Sequence, residues 1–238
     1  MEKTKILIGA PVNKSFLKAA ETYFRCVKKI KSKKYKIEVC FATEDREIIG
    51  RLKKYSVKFK IPIKILTFRK RGLRLINISL ARELIRNYYL SRNFELFMFL
   101  DSDIVIERKV LERMVELSKK FHIVINAYPD RNRDIKTLVV SGLGCTLMIR
   151  EVLEKTNFEK SHHPEDILFF QKIVRKRFRF INGIFGRTIH NNIEVSRRKL
   201  NFIEKLKFRL LIIVCFLNIA KLYNFIISKT NIREFIKI

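Results

Sequence analysis

Short apolar runs alternate along the chain with segments of helical periodicity. The apolar runs occupy residues 5–11, 36–42, 61–68, 96–100 and 123–127. Between them, apolar side chains recur every three or four residues in segments 16–30, 47–55, 77–89 and 110–120, which is the spacing of one helix face. Strands alternating with helices in this way are typical of a doubly wound, mostly parallel sheet. We therefore predict an α/β fold with helices flanking the sheet.

The later part of the chain continues the pattern less regularly. Short helices are predicted over 151–156 and within 162–174, and a last core strand within 180–190. Asn77 or Ser79 is a plausible cap for the helix over 77–89. The composition changes after residue 196, so we predict one α/β domain over 1–196 and an extension over 197–238.

The most apolar strand, at residues 96–100, runs directly into Asp101, Ser102 and Asp103. In open parallel sheets, ligands bind at the carboxyl ends of the strands, so this turn lies where function is expected. Two carboxylates in one turn can reach the same hard cation, which prefers oxygen ligands and can clamp a diphosphate. The alternative is a turn whose Asp side chains only cap the next helix.

The chain is strongly basic, with 52 Lys and Arg against 23 Asp and Glu and a formal charge of +29. Such a charge predicts attraction to an anionic partner, which is nucleic acid, a phosphorylated small molecule or an acidic membrane surface. Basic clusters occur at 28–36, 69–74 and 175–179, although each alone fits a solvated face equally well. An apolar content of 47% excludes a disordered chain.

Cysteine usage and the N-terminus give expectations about the compartment. The four cysteines are far apart and form no CxxC pair, so we expect neither a zinc site nor a disulfide framework. A reducing interior fits this pattern best. The first residues lead directly into a predicted strand, so no signal peptide is expected.

Five motifs follow one another in a recognisable order. They are NISLARELI, FELFMFLDSDIVIERKVLERMVE, SGLGCTLMIREVLEKTNFE, PEDILFFQKI and GRTIHNN. Together they resemble the GT-A glycosyltransferases, particularly family 2-like enzymes, over residues 5–192. The resemblance implies a GT-A (Rossmann-like) fold and transfer of a sugar from a nucleotide-sugar donor, UDP- or GDP-linked. It also implies Mn²⁺ or Mg²⁺ as the cofactor.

The resemblance also implies roles for individual residues on the metal and acceptor sides. Asp103 would bind the metal together with Asp101, and His190 would be the third ligand. Asp166 would be the catalytic base that deprotonates the acceptor hydroxyl in an inverting displacement, with Glu165 placing it. Separate groups on the two sides suit the chemistry, which needs a base at the acceptor and neutralised charge at the leaving diphosphate.

Two of these assignments have alternatives within the sequence. Glu165 and Asp166 are also simply favourable charges at a helix N-terminus. His162 and His163, just before them, compete with His190 as ligands or acceptor-site groups.

On the donor side, the resemblance implies a further set of contacts. Asp101 and its neighbour Ser102 would face the ribose, and Arg82 would approach the donor diphosphate. Pro11 and Asp45 would lie around the nucleotide base.

The extension over 197–238 is both basic and apolar, with ten Lys or Arg against two Glu. Its apolar stretch, 210–227, is short for a transmembrane helix, which needs about 20 residues. Polar positions recur every three or four residues in it, which favours a basic amphipathic helix lying on a membrane. The alternative is a helix packed on protein.

A membrane-bound extension would suit the charge, because anionic headgroups attract Lys and Arg. We therefore expect a peripheral protein of the cytoplasmic membrane face, acting on a lipid-linked or glycan acceptor, without specific nucleic-acid binding. Three alternatives stay open. They are a basic nucleic-acid-binding protein, a sugar nucleotidyltransferase and a catalytically inactive relative.

Overall fold

The structure is a computed structural model that describes residues 3–129, 138–139, 142–159, 165–190 and 193–195. The predicted extension over 197–238, the domain boundary at 196 and the two histidines at 162 and 163 lie outside these residues.

Twelve strands are present in this part of the chain. In chain order they are β1 (Thr4–Pro11), β2 (Tyr35–Thr43), β3 (Ile63–Thr67), β4 (Leu96–Leu100), β5 (Ile104–Ile106), β6 (Ile123–Asn126), β7 (Tyr128–Pro129), β8 (Leu138–Val139), β9 (Cys145–Ile149), β10 (Phe180–Gly183), β11 (Thr188–His190) and β12 (Ile193–Val195). The helices are a 3₁₀ helix (Lys14–Lys18), α1 (Ala20–Ile30), α2 (Ile48–Phe59), α3 (Arg74–Leu90), α4 (Arg108–Leu117), α5 (Arg150–Lys155) and α6 (Glu165–Arg175).

The centre of the fold is a seven-stranded sheet in the order β10-β6-β9-β4-β1-β2-β3. Only β9 runs antiparallel to its neighbours, β4 and β6. The other pairs in the sheet are parallel. The predicted mostly parallel sheet is therefore confirmed, and its central strands are continuous apolar runs because helices cover both faces.

The helices cover the two faces in separate layers. Buried side chains of α1, α2 and α4 pack on one face. Those of α3, α5 and α6 pack on the other face. The carboxyl ends of the parallel strands therefore meet at one edge of this sandwich, and the segments that follow these strands lie together there.

A three-stranded antiparallel sheet, β12-β11-β5, lies beside this edge. β5 begins immediately after the Asp-Ser-Asp turn, and β11 pairs with it so that His190 lies opposite Ile104. This pairing brings a late segment of the chain next to the turn.

Helix α3 begins earlier than the sequence pattern indicates. Its N-cap position is Leu73, which makes no side-chain capping bond. Asn77 is buried inside the helix, where its Oδ1 accepts from the Arg71 backbone N–H at 2.8 Å. The predicted cap at Asn77 or Ser79 is wrong, because Asn77 fixes the preceding loop instead.

Within the described part of the chain, no helix is both long and apolar enough to cross a bilayer.

At Gly9 of β1, a side chain of α3 packs directly on the backbone of the sheet. A Cβ there would lie 2.6 Å from Ile85 Cγ2 and 2.9 Å from Phe97 Cζ. We predict that Gly9→Ala lowers the free energy of unfolding by about 1–3 kcal/mol, as overpacked cores do. Gly50→Ala is the matched control, since a Cβ at this α2 position meets nothing within 4 Å. Urea unfolding of both variants measures this, and a Gly9→Ala protein as stable as wild type would contradict the packing.

Candidate active site

The Asp-Ser-Asp turn connects β4 to β5 at the carboxyl edge of the sheet. The Asp101 backbone N–H donates to the Gly144 carbonyl at 2.8 Å, and the Ile104 N–H donates to the Asp101 carbonyl at 2.9 Å. The three turn residues, Asp101, Ser102 and Asp103, are partly exposed. The backbone therefore holds both carboxylates, partly buried, at this edge of the sheet, directly after the fully buried strand β4.

A buried arginine from α3 lies beneath this turn. The side chain of Arg82 is 4% exposed. Its Nη2 donates to Asp101 Oδ1 at 3.3 Å, and its Nε donates to Glu165 Oε1 at 3.2 Å. Its guanidinium lies over the Phe99 ring, 4.6 Å from the centroid. One cation therefore joins the turn after β4 to the first residue of α6.

The electrostatics of Arg82 explain why a charge is tolerated there. Burial alone would lower the pKa of the guanidinium, but the nearby carboxylates of Asp101, Asp166 and Glu165 raise this pKa above its ordinary value. A buried charge is stable only when partners and hydrogen bonds compensate for lost water. Arg82 Nη1 is buried and has no hydrogen-bond partner among the described residues, so one donor of the guanidinium is left unsatisfied.

Asp166 lies in the first turn of α6, next to Glu165. Its Oδ2 accepts from the Leu143 backbone N–H at 3.1 Å. Its Oδ1 is buried, with no hydrogen-bond partner in the part of the chain that is described. Burial raises the pKa of Asp166 to about 7, and the charge of Arg82 only partly opposes this rise. The carboxyl group is therefore poised to exchange a proton near neutral pH.

One residue that the sequence analysis missed, Tyr128, completes this cluster. Burial, Asp101 and Asp166 raise the pKa of the Tyr128 hydroxyl well above its ordinary value. Gly144 leaves room for it, since a Cβ there would lie 2.7 Å from Tyr128 Oη and 2.8 Å from Asp101 Oδ2. Tyr128 follows β6 at the carboxyl edge of the sheet, and this position is the only sequence signal for it.

Asn126, also missed, anchors the later strands to the site. Its Nδ2 donates to Thr188 Oγ1 at 2.8 Å, and its Oδ1 accepts from the Phe185 N–H at 2.9 Å. These bonds fix both ends of the segment that leads into β11 and therefore to His190. The His190 side chain lies outside the described residues, so only its backbone position, opposite Ile104, is known.

The metal ligands implied by the sequence are partly brought together. Asp101 and Asp103 share the turn, and the backbone of His190 lies on the strand paired with β5. Among the side chains that are described, no three His, Cys, Asp or Glu residues form a ready metal cluster. The carboxylate pair nonetheless fits a hard divalent cation, which takes oxygen ligands and keeps several waters.

A cavity of about 980 Å³ opens along the same edge, beyond β1, β2 and β3. The segments that follow these three strands line it, with Asn13, Asp45 and Arg69 among the contributors. Asp45 is fixed locally, because its N–H donates to Thr43 Oγ1 at 3.0 Å. Pro11 ends β1 and does not line the cavity.

Five of the sequence-predicted residues thus fall into two groups at this edge. Arg82, Asp101, Glu165 and Asp166 form the carboxylate cluster around one guanidinium. Asp45 belongs to the cavity, whose walls include none of these four residues.

Among the comparisons with known proteins, the one with solved structures supports the fold. No protein-family model and no curated protein matches the sequence. Among solved structures, the mannosyltransferase PcManGT from Pyrobaculum calidifontis, in complex with GDP-Man and Mn²⁺, aligns with a TM-score of 0.59 and 14% identity. The alignment covers 87% of this chain and 62% of that protein.

The S. aureus protein TarS 1-349 in complex with UDP aligns with a TM-score of 0.55 and 12% identity, over 76% of this chain and 61% of that one. Without ligand, TarS 1-349 aligns with a TM-score of 0.58 and 12% identity, and the alignment covers 97% of this chain and 77% of that one. The chain spans about three fifths of the length of PcManGT and of UDP-bound TarS. The strand order, the helical layers and these alignments together define a GT-A-like glycosyltransferase fold.

Asp166 gives a prediction for stability against pH. Its pKa is about 7 in the folded chain, compared with an ordinary value of 3.8 for aspartate, so folding favours its neutral form. The resulting stability is complete below about pH 4 and is lost as pH rises through 7. We predict that Asp166→Asn has a higher free energy of unfolding than wild type at pH 8, by on the order of a few kcal/mol. At pH 4 we expect no such gain. Urea unfolding at both pH values measures this, and equal differences at the two would contradict it.

Proposed function

We propose that this protein is a divalent-metal-dependent, inverting glycosyltransferase that moves a sugar from a nucleotide-sugar donor to a hydroxyl or phosphate acceptor. The observation that carries the proposal is the carboxylate cluster around Arg82, at the carboxyl edge of a GT-A-like sheet. A catalytic base is required on one side of the sugar and compensation for a leaving diphosphate on the other. Asp166 and the Asp101 turn provide groups for these two sides.

The cavity beyond β1 to β3 suits the nucleotide part of the donor. Its volume of about 980 Å³ is at the upper end of the range for small-molecule sites. We assign Asp45 and the end of β1 at Pro11 to the surroundings of the base, with Asp101 and Ser102 toward the ribose. The similar solved structures include complexes with UDP, UDP-GlcNAc and GDP-Man, so UDP- and GDP-sugars are the donors to test first.

Mn²⁺ or Mg²⁺ would be held by Asp103 and Asp101, with His190 as the third ligand. The cation would supply positive charge that stabilises the leaving diphosphate. Arg82 adds a permanent positive charge beside the same turn, and its Nη1 has no partner among the described residues. We assign that donor to the diphosphate.

Asp166 takes the role of base. A base works best when its pKa lies near the operating pH, and burial brings the pKa of Asp166 to about 7. The Leu143 N–H fixes Oδ2, which leaves Oδ1 to accept the proton of the acceptor hydroxyl. Glu165 is a positioning residue, because its bond to Arg82 at 3.2 Å holds the first turn of α6 against α3.

The acceptor and the location complete the proposal. We assign a lipid-linked or glycan acceptor and a peripheral position at the cytoplasmic face of a membrane, attracted by anionic lipids. The net charge of +29 supports this assignment.

Release of nucleoside diphosphate from a panel of UDP- and GDP-sugars tests the activity, with Mn²⁺ or Mg²⁺ and a membrane lipid extract as the acceptor source. We expect turnover of one donor, reduced at least ~100-fold in Asp166→Asn, since general-base catalysis contributes 10²–10⁴-fold. Asp103→Ala should also lose turnover. Glu112→Gln, an α4 carboxylate paired with Arg108, is the control and should keep full activity. No turnover with any donor or metal would overturn the proposal.

A further inference from the structure

Residues 48–82 contain no Asp or Glu but eleven Lys or Arg. Arg82 is buried in the cluster described above, and the other ten basic side chains are all exposed. These ten define the basic edge surface. They are Arg51, Lys53, Lys54, Lys58, Lys60, Lys64, Arg69, Lys70, Arg71 and Arg74.

The residues of the basic edge surface come from neighbouring elements of the fold. They lie on α2 and just after it, on β3, in the loop that follows β3 and at the first residue of α3. β3 is the last strand of the seven-stranded sheet, and no further strand of the described residues covers it. The positive charge is therefore presented around this edge of the sheet.

Few of the cations on this surface have an ion-pair partner, although Glu44, Asp45 and Glu47 line the adjoining cavity together with Arg69 and Lys70. Of the ten cations, only Lys58 forms an ion pair between described residues, with Glu21 at 3.2 Å. On α4 the arrangement is different, because Arg108 pairs with Glu112 and Arg113 with Glu116. A solvated helix face normally mixes both signs, as α4 does. A surface with a large excess of positive charge creates a field that draws in anions.

Exposed aliphatic side chains accompany these cations. Among the described residues, three large apolar side chains are exposed, and two of them, Val57 (78%) and Leu73 (53%), lie within residues 48–82. Leu73 is at the start of α3, between the exposed Arg71 and Arg74. Cations interspersed with protruding aliphatic groups match a lipid interface, where headgroups take the charge and acyl chains take the apolar group.

The aromatic residues of the same stretch argue against nucleic acid. Phe59 is buried, and Tyr55 packs against it and against Phe24. Phe68 packs against the second core layer. Single-stranded nucleic acid is held by bases stacked on exposed aromatic rings. Phe59 is buried, Tyr55 is packed against the core, and Phe68 is half-buried at the wall of the cavity, so the stretch presents no fully exposed ring.

We propose that the basic edge surface docks on an anionic lipid bilayer, with Leu73 inserted at the interface. Arg69 and Lys70 also line the large cavity, so docking would place the rim of that cavity at the headgroups. Docking in this orientation would deliver a lipid-linked acceptor to the site, a consequence that rests on the proposed function. The docking itself rests only on charge and exposure.

Vesicle flotation of the full chain tests the proposal without donor or metal. The test variant combines Lys53→Gln, Lys54→Gln, Arg71→Gln and Arg74→Gln, none of which lines the cavity. The control makes the same change in charge elsewhere with Lys33→Gln, Lys119→Gln, Lys120→Gln and Lys176→Gln. On phosphatidylcholine vesicles with phosphatidylglycerol, we expect at least tenfold weaker binding of the test variant and less than threefold for the control.

A fluorescent reporter locates the contact, because the chain has no tryptophan. Leu73→Trp should shift its emission to the blue on phosphatidylglycerol vesicles and not on pure phosphatidylcholine. Lys119→Trp, placed at an exposed position far along the chain, should show no shift. The tryptophan emission of each variant is measured on its vesicle-bound fraction.

Three results would overturn the proposal. The first is an equal loss of vesicle binding in the test and control variants, which would mean that the membrane contact lies elsewhere in the chain. The second is vesicle-bound Leu73→Trp protein with unshifted tryptophan emission, meaning that the new side chain stays in water. The third is tighter binding to single-stranded RNA than to vesicles, lost in the test variant. Because no turnover is measured, these outcomes are independent of the sugar-transfer test.

Discussion

The buried guanidinium of Arg82 is the interaction on which the site depends. It is 4% exposed and bonds to Asp101 of the β4–β5 turn and to Glu165 of α6. A charge removed from water in this way requires its partners in place. Arg82 therefore links the sheet edge, α3 and α6 at the site, in addition to their apolar packing, and Asp166 takes its environment from the same arrangement.

Much of this fold follows from local patterns in the sequence. β4 is recognisable as LFMFL because a central strand is buried on both faces, and the carboxylates that end it lie at the ligand-binding edge of any parallel sheet. Glu165 and Asp166 are singled out by the family resemblance. The structure brings both of them to Arg82.

Other parts of the site required the three-dimensional structure. The resemblance assigns Arg82 to a diphosphate, but its first partners are carboxylates from the β4–β5 turn and α6, and no short-range pattern encodes them. Tyr128 and Asn126 are single polar residues after and at the end of a strand, without a motif. Asn77 looks like a cap in the sequence, yet its side chain bonds to the backbone before the helix, an arrangement that helical periodicity does not reveal.

The central claim is that this edge binds a nucleotide through a cation held by the Asp-Ser-Asp turn. Calorimetric titration of UDP and of GDP, with and without Mn²⁺, tests it most directly, using wild type and Asp103→Ala. The account predicts that wild type binds one nucleotide at least tenfold more tightly with Mn²⁺ and that Asp103→Ala loses this difference. Nucleotide binding that ignores both the metal and the substitution, or no binding of either nucleotide, would contradict the account.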